Sequence, residues 1–139
     1  MQVNHSSSIS RSLTENAGSF TYDEEAGVLV IRCFGDVTVD SIASIWGEIV
    51  DGFSISEKMK GIVFDLSEGH FVFPASDYDH IVGFLKEHLD FFGRLRLGFV
   101  ANDPHNIVVA MLVARADARY CLRPFTTLKA AIYWVQNVS

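Results

Sequence analysis

The side chains of this chain best suited to chemistry are carboxylates and imidazoles with a few hydroxyls beside them: Asp36 and Thr38, then Asp65, Ser67, Glu68 and His70, then Asn102, Asp103 and His105. A carboxylate within hydrogen-bond reach of a histidine can pass a proton, and several such groups together can hold a divalent cation. Their spacing demands neither. The five histidines, His5, His70, His80, His88 and His105, form no H-x-x-x-H pair and no H-E-x-x-H motif, so a zinc site is not expected. No G-x-S-x-G elbow, P-loop or G-x-G-x-x-G turn occurs, which leaves acyl transfer and nucleotide chemistry without their usual residues. Asp36, Thr38 and Asp103 are also well explained as turn and cap residues. The expectation is a protein with no metal, no cofactor and no catalytic residue.

Bulk properties narrow the partners. A chain of 139 residues suits one domain. Its hydrophobic content of 49% and mean hydropathy of +0.22 are rich for a single small core, so a homodimer that covers the surplus is expected. The net charge of -6 repels nucleic acid and anionic membrane. The longest apolar run, Ile107 to Ala114, falls far short of the ~20 residues of a bilayer span. Met1 to Ser19 is polar, rich in serine and without the apolar centre of a secretory signal. Residues 1–18 are therefore expected to be a disordered lead-in to a single domain over 19–139. Cys33 and Cys121 sit in apolar strand-like runs outside any C-x-x-C pair, as free buried thiols in a reducing cytoplasm would.

The elements that must position these residues follow from periodicity. Ser19 to Asp23 and Val28 to Phe34 read as a hairpin whose turn ends in Gly27. From Thr38, the cap, Val39, Ile42, Ile45, Trp46, Ile49, Val50 and Phe53 recur at helical spacing. Gly61 to Leu66 is a continuous apolar strand of the kind found mid-sheet, and it ends in Asp65-Leu66-Ser67. A second helix is read from about Ser76 to Phe92, with Ile81, Val82, Leu85, Leu89 and Phe92 on one stripe, and Gly93 closes it. Arg94 to Ala101 reads as a strand. Asp103-Pro104 then starts a third helix to about Ala116. Arg119 to Phe125 is the last strand, and Thr126 or Thr127 caps a final helix carrying Leu128, Ala131, Ile132 and Val135 inward. The order predicts an α/β fold: a mixed five-stranded open sheet, first strand antiparallel and the rest parallel, with four helices.

Three stretches carry a wider likeness: Gly35-Asp36-Val37-Thr38 after the second strand, Ile62-Val63-Phe64-Asp65-Leu66-Ser67 at the third, and Arg123-Pro124-Phe125-Thr126-Thr127 followed by Ala130 and Trp134-Val135. With this element order they resemble the SpoIIAA-like group of the STAS superfamily, the fold of bacterial anti-sigma-factor antagonists, over about Ser19 to Val138. The resemblance implies helices largely on one side of an open sheet, and a non-catalytic role in protein-protein regulation or small-ligand sensing. Its uncharacterised branch is also likened to the lipid-binding Sec14 module. In the sigma-regulator branch a phosphorylated serine follows within an Asp-Ser-Ser-Gly segment. Here Ser67 is followed by Glu68-Gly69-His70-Phe71-Val72-Phe73-Pro74-Ala75-Ser76, and Ser76 is only the nearest positional equivalent for phosphorylation.

The sharper signal is apolar. Phe71, Val72 and Phe73 read as a loop, and three large hydrophobes in a loop fold over the core, line a cavity or meet a partner. Asp65, Ser67, His70, Phe71, Phe73, Ser76 and Phe84 are thus the candidate binding residues. On the third helix Ile107, Val108, Met111 and Leu112 would suffice for a buried face, with Val109 and Val113 adding apolar area elsewhere. Arg115, Arg119 and Arg123 form a basic cluster that could hold an acidic partner or phosphate, or simply be solvated. The reading is a non-catalytic regulatory module for an unknown protein partner, with a carrier or sensor of a small apolar, lipid-like ligand as the alternative and a metal or hydrolytic enzyme third.

Overall fold

The computed structural model describes residues 8–12, 18–52 and 58–137, the first of these stretches as backbone only. Gly18–Asp23 (β2) and Val28–Val37 (β3) form the expected hairpin. Asp23 holds its turn by accepting from the amides of Glu25 and Ala26. Gly27 completes it at φ 72°, and a Cβ there would meet the Lys58 carbonyl oxygen at 2.1 Å, so only glycine fits.

Gly61–Phe71 (β4), Arg96–Val100 (β5) and Cys121–Phe125 (β6) add in parallel beyond β3. The five expected strands are present in the expected directions. A sixth, Ser8–Ser12 (β1), pairs antiparallel with β2, giving a sheet in the sequential order β1 to β6. This strand corrects the lead-in expected for 1–18 over those five residues. Its serine-rich sequence has little apolar periodicity, and backbone pairing to an open sheet edge is what orders it. Residues 1–7 and 13–17 lie outside the described residues.

Val39–Gly52 (α1) begins at a reciprocal cap: Thr38 Oγ1 accepts from the Ser41 amide at 3.0 Å while Ser41 Oγ accepts from the Thr38 amide at 2.8 Å. Phe53, expected on the same stripe, lies outside the described residues. The single helix expected from Ser76 to Phe92 is segmented into a 3-10 turn (Ala75–Asp77), Tyr78–Glu87 (α2) and Leu89–Phe92 (α3). The break falls at His88, whose φ of -123° and ψ of 42° leave the helical region. Pro104–Ala116 (α4) and Leu128–Gln136 (α5) have the expected caps, Asp103 and Thr127.

Alternation divides the core in two. Leu29, Ile31, Ile62, Phe64, Leu97 and Phe99 pack under α1, α2 and α4, as right-handed crossovers without a reversal of strand order require. The intervening Val28, Val63 and Val100 meet Ala131 and Val135 of α5, which returns over the opposite face. On α4 the buried face is Asn106, Val109, Ala110 and Val113, while Val108 and Met111 are exposed. That reverses the face read from the sequence. A helix apolar almost all round has no preferred stripe, so its rotation is set by the hydrogen bonds of Asn106 to β4.

Candidate functional site

The Asp65-Leu66-Ser67 segment is a β-bulge. Arg32 pairs with Asp65 and Phe34 with Glu68, so two steps along β3 match three along β4. The Asp65 carboxylate holds the extra residue in place, accepting from the Ser67 amide at 2.9 Å and its hydroxyl at 2.7 Å. Arg32 Nε stands 3.8 Å away and is more than half exposed, a minor contribution. Burial drives the neighbouring Cys33 thiol up to about 12, the Asp65 charge adding to it, so this thiol stays protonated.

The bulge also reverses the parity of β4. Phe64 and Leu66 face the main core, yet so does Phe71, an odd number of residues from both. What reads as a loop is therefore strand to Phe71, and Phe71 and Phe73 are buried at 2% and 8% exposure. Their rings lie 4.9 Å apart, and Phe71 is 5.7 Å from Phe99. Phe84 is half-buried against Trp46 and Phe92. Phe71 and Phe73 thus pack in the core, while Val72 between them is exposed. The space enclosed by Phe71, Trp46, Ile81 and their neighbours is about 10 Å³, at most the room of one water.

Beyond Val100, β5 leaves β4, and the β3–β4 ribbon continues without it. Asn106 takes the place of the missing strand. Its carboxamide accepts from the Phe71 amide at 3.0 Å and donates to the Gly69 carbonyl at 3.0 Å, from a side chain that is fully buried. Sequence reasoning passed over this residue. The signal was present: Asn106 lies at three, four and seven residues from Val109, Ala110 and Val113, a polar side chain on an apolar stripe.

Two histidines tie the same ribbon to the start of α4. His70 Nδ1 is 2.6 Å from Asp103 Oδ2, and His105 Nε2 is 2.7 Å from the Phe73 carbonyl oxygen, which accepts its proton. Asp103 also caps α4 through the His105 amide at 3.2 Å. Partial desolvation would raise the Asp103 carboxyl, but the hydrogen bonds from the His105 amide and the His70 ring outweigh it and hold the group below the usual carboxylate value. Among the described residues Asp65 is hydrogen-bonded only within its own bulge and does not join this pair. No group of three or more His, Cys, Asp or Glu side chains able to hold a metal occurs among the described residues. Ser67 and Ser76 are exposed, Ser76 within the 3-10 turn.

The basic cluster comes apart. Arg119 is bound by Asp117 at 3.0 and 2.8 Å, Arg115 lines a groove between α2 and α4, and Arg123 faces α5 with Arg96. Both cysteines are free, as expected, but Cys121 is exposed instead of buried, because β6 is an edge strand.

An open sheet in sequential order, four helices on one face and one on the other, with a bulged central strand, is a SpoIIAA-like fold. An uncharacterised protein of the DUF3478 family from Shewanella loihica PV-4, whose crystal structure has a SpoIIAA-like fold, is similar over 97% of this chain and 98% of its own. The TM-score is 0.50 and the identity 12%, a likeness of fold. No family model matches the sequence, and no curated protein matches it. Among the described residues no helix is long and apolar enough to cross a membrane.

Proposed function

We infer that this chain is a non-catalytic interaction module that presents the groove between α2 and α4 to a protein partner. The observation that carries the reading is the exposure of Val108 and Met111, 46% and 45%, in the middle of α4. With Tyr78, Leu112, Arg115 and Ala116 they line a groove of about 320 Å³. Val72, 47% exposed, is a further exposed apolar side chain; it adjoins Phe73, whose carbonyl is bonded to His105, one turn before Val108. Apolar side chains grouped on a helix face are what an interface buries.

The carboxyl-edge groups support the same reading from the other side. Asp65 closes a bulge, Asn106 closes a ribbon, and Asp103 caps a helix while holding His70. Among the described residues no hydroxyl or thiol is hydrogen-bonded to His70 that the pair could activate. A lipid-like ligand behind Phe71 would have to displace that ring, since the space there holds no more than a water.

A photo-crosslinking side chain placed at Met111, compared with one at the exposed Glu24 on the far hairpin, tests the surface in native lysate. Met111 should give a discrete adduct that Glu24 does not, whether with another protein or a second copy of this chain. Equal labelling at the two positions, or none at Met111, overturns the assignment.

A further inference from the structure

A different feature lies on the opposite face. Because α5 covers β4 and β5, a trough of about 620 Å³ opens between it and the edge strand β6. β6 turns Arg123 and Phe125 into it, β5 adds Arg96, and α5 adds Lys129, Tyr133 and Trp134. Among the described residues three cations and no carboxylate line this space, in a chain whose net charge is -6. Composition alone would not put them together.

Arg96 is engaged within the fold. It donates to the Trp134 carbonyl at 2.7 Å, near the negative end of α5, and lies 4.8 Å over the Trp134 ring. Arg123 and Lys129 are not engaged in this way. Arg123 sits 5.9 Å from the Phe125 ring and 5.8 Å from the Trp134 ring. Among the described residues neither it nor Lys129 has a carboxylate or hydrogen-bond partner. A guanidinium positioned by two rings with its donors unused is suited to bidentate contact with a phosphate or carboxylate. Beside it Tyr133, 68% exposed, offers a ring face, and the half-buried Trp134, with Arg96 over its ring, lines the same space. The volume falls within the roughly 300–1,000 Å³ of small-molecule sites.

We propose that the trough binds a small organic anion, its phosphate or carboxylate on Arg123 and Lys129 and a flat aromatic part against Tyr133 and Trp134. Binding is non-covalent and independent of the α2–α4 groove.

Titration of the full chain with naphthyl phosphate or naphthoate, followed by NMR at the two indole N–H signals, tests this directly. Trp46 is buried in the main core and serves as the internal reference. The expected result is a saturable shift at Trp134 and none at Trp46, for at least one of the two anions; the tighter of them assigns the head group. Arg123→Gln and Lys129→Gln, both at exposed positions, should each weaken binding by about tenfold with the spectrum otherwise unchanged. Naphthol and inorganic phosphate, each carrying half the recognition, should bind at least about tenfold more weakly. The proposal is overturned if neither anion gives a saturable shift at millimolar concentration, or if both variants bind as wild type does. Binding of a hexaglutamate peptide where neither small anion binds overturns it in favour of a peptide surface.

Discussion

The carboxyl edge of the parallel strands and the trough between α5 and β6 contain similar materials, charged groups beside aromatic rings, in opposite states. At the edge the polar groups nearest α4 and the bulge are partnered inside the protein: Asp65 with Ser67, Asn106 with Gly69 and Phe71, His70 with Asp103, His105 with Phe73. Phe71 and Phe73 there are buried, while Phe34 is 39% exposed. In the trough Arg123 and Lys129 have no anionic partner among the described residues, and Tyr133 stands in solvent. A group that already holds the fold together contributes stability, and one whose donors are unused is available to a ligand. Position at the end of a parallel strand marks where ligands tend to bind in open α/β sheets, but hydrogen-bond occupancy decides which residues are free to do so.

The difference between the two regions is tested hardest where burial is deepest. Phe71→Ala should cost about 3–5 kcal/mol in urea unfolding, as a large core ring does. A loss below about 1 kcal/mol would return Phe71 to the surface loop read from the sequence. Asn106→Leu leaves the Phe71 amide and the Gly69 carbonyl unpaired and should cost about 2–4 kcal/mol. Near-wild-type stability in that variant would mean the ribbon does not depend on α4.

Milder changes probe the same contrast. The Asp103 carboxyl is depressed in the folded protein, so its stabilising contribution is present above the ordinary value of 3.8 and is lost as pH falls through the folded value. Asp103→Ala should therefore lower the thermal midpoint at neutral pH, by less than either substitution above, and the difference from wild type should shrink in acid. A gap that is constant with pH would mean that the ionised form of Asp103 adds nothing to the cap. Under native conditions iodoacetamide should modify the exposed Cys121 and spare Cys33, which is buried and protonated. Labelling of Cys33 at a similar rate would show the ribbon opening. Smallest of all, Arg123→Gln should leave the unfolding free energy within about 0.5 kcal/mol of wild type, as for a surface side chain with no partner.

Most of the framework was legible because it is written in period and punctuation. The hairpin around Gly27, the stripe of α1 with its Thr38 cap, the Asp103-Pro104 start of α4 and the Thr127 cap of α5 all come from local signals. What escaped depends on partners distant in sequence. The strand at Ser8–Ser12 is ordered by an edge it cannot announce. A bulge that lets Phe64 and Phe71 share one core is invisible to simple alternation, so Phe71 to Phe73 looked like a loop. The rotation of α4 is set by Asn106 reaching β4, 37 residues from Gly69, and without that contact the helix shows two equally apolar faces. The trough went unrecognised because Arg96, Arg123 and Lys129 meet only when three elements are assembled.

If the carboxyl edge supports the fold while the apolar groove on α4 meets the partner, substitutions in the two places must separate stability from binding. Affinity capture from native lysate with four proteins makes that separation: wild type, His70→Gln, the double variant Val108→Asp with Met111→Asp, and Tyr133→Ala as a surface control. The same specifically captured protein should be recovered by wild type, His70→Gln and Tyr133→Ala, and lost from the folded double variant. Loss with His70→Gln and full recovery by the double variant would contradict this division of roles.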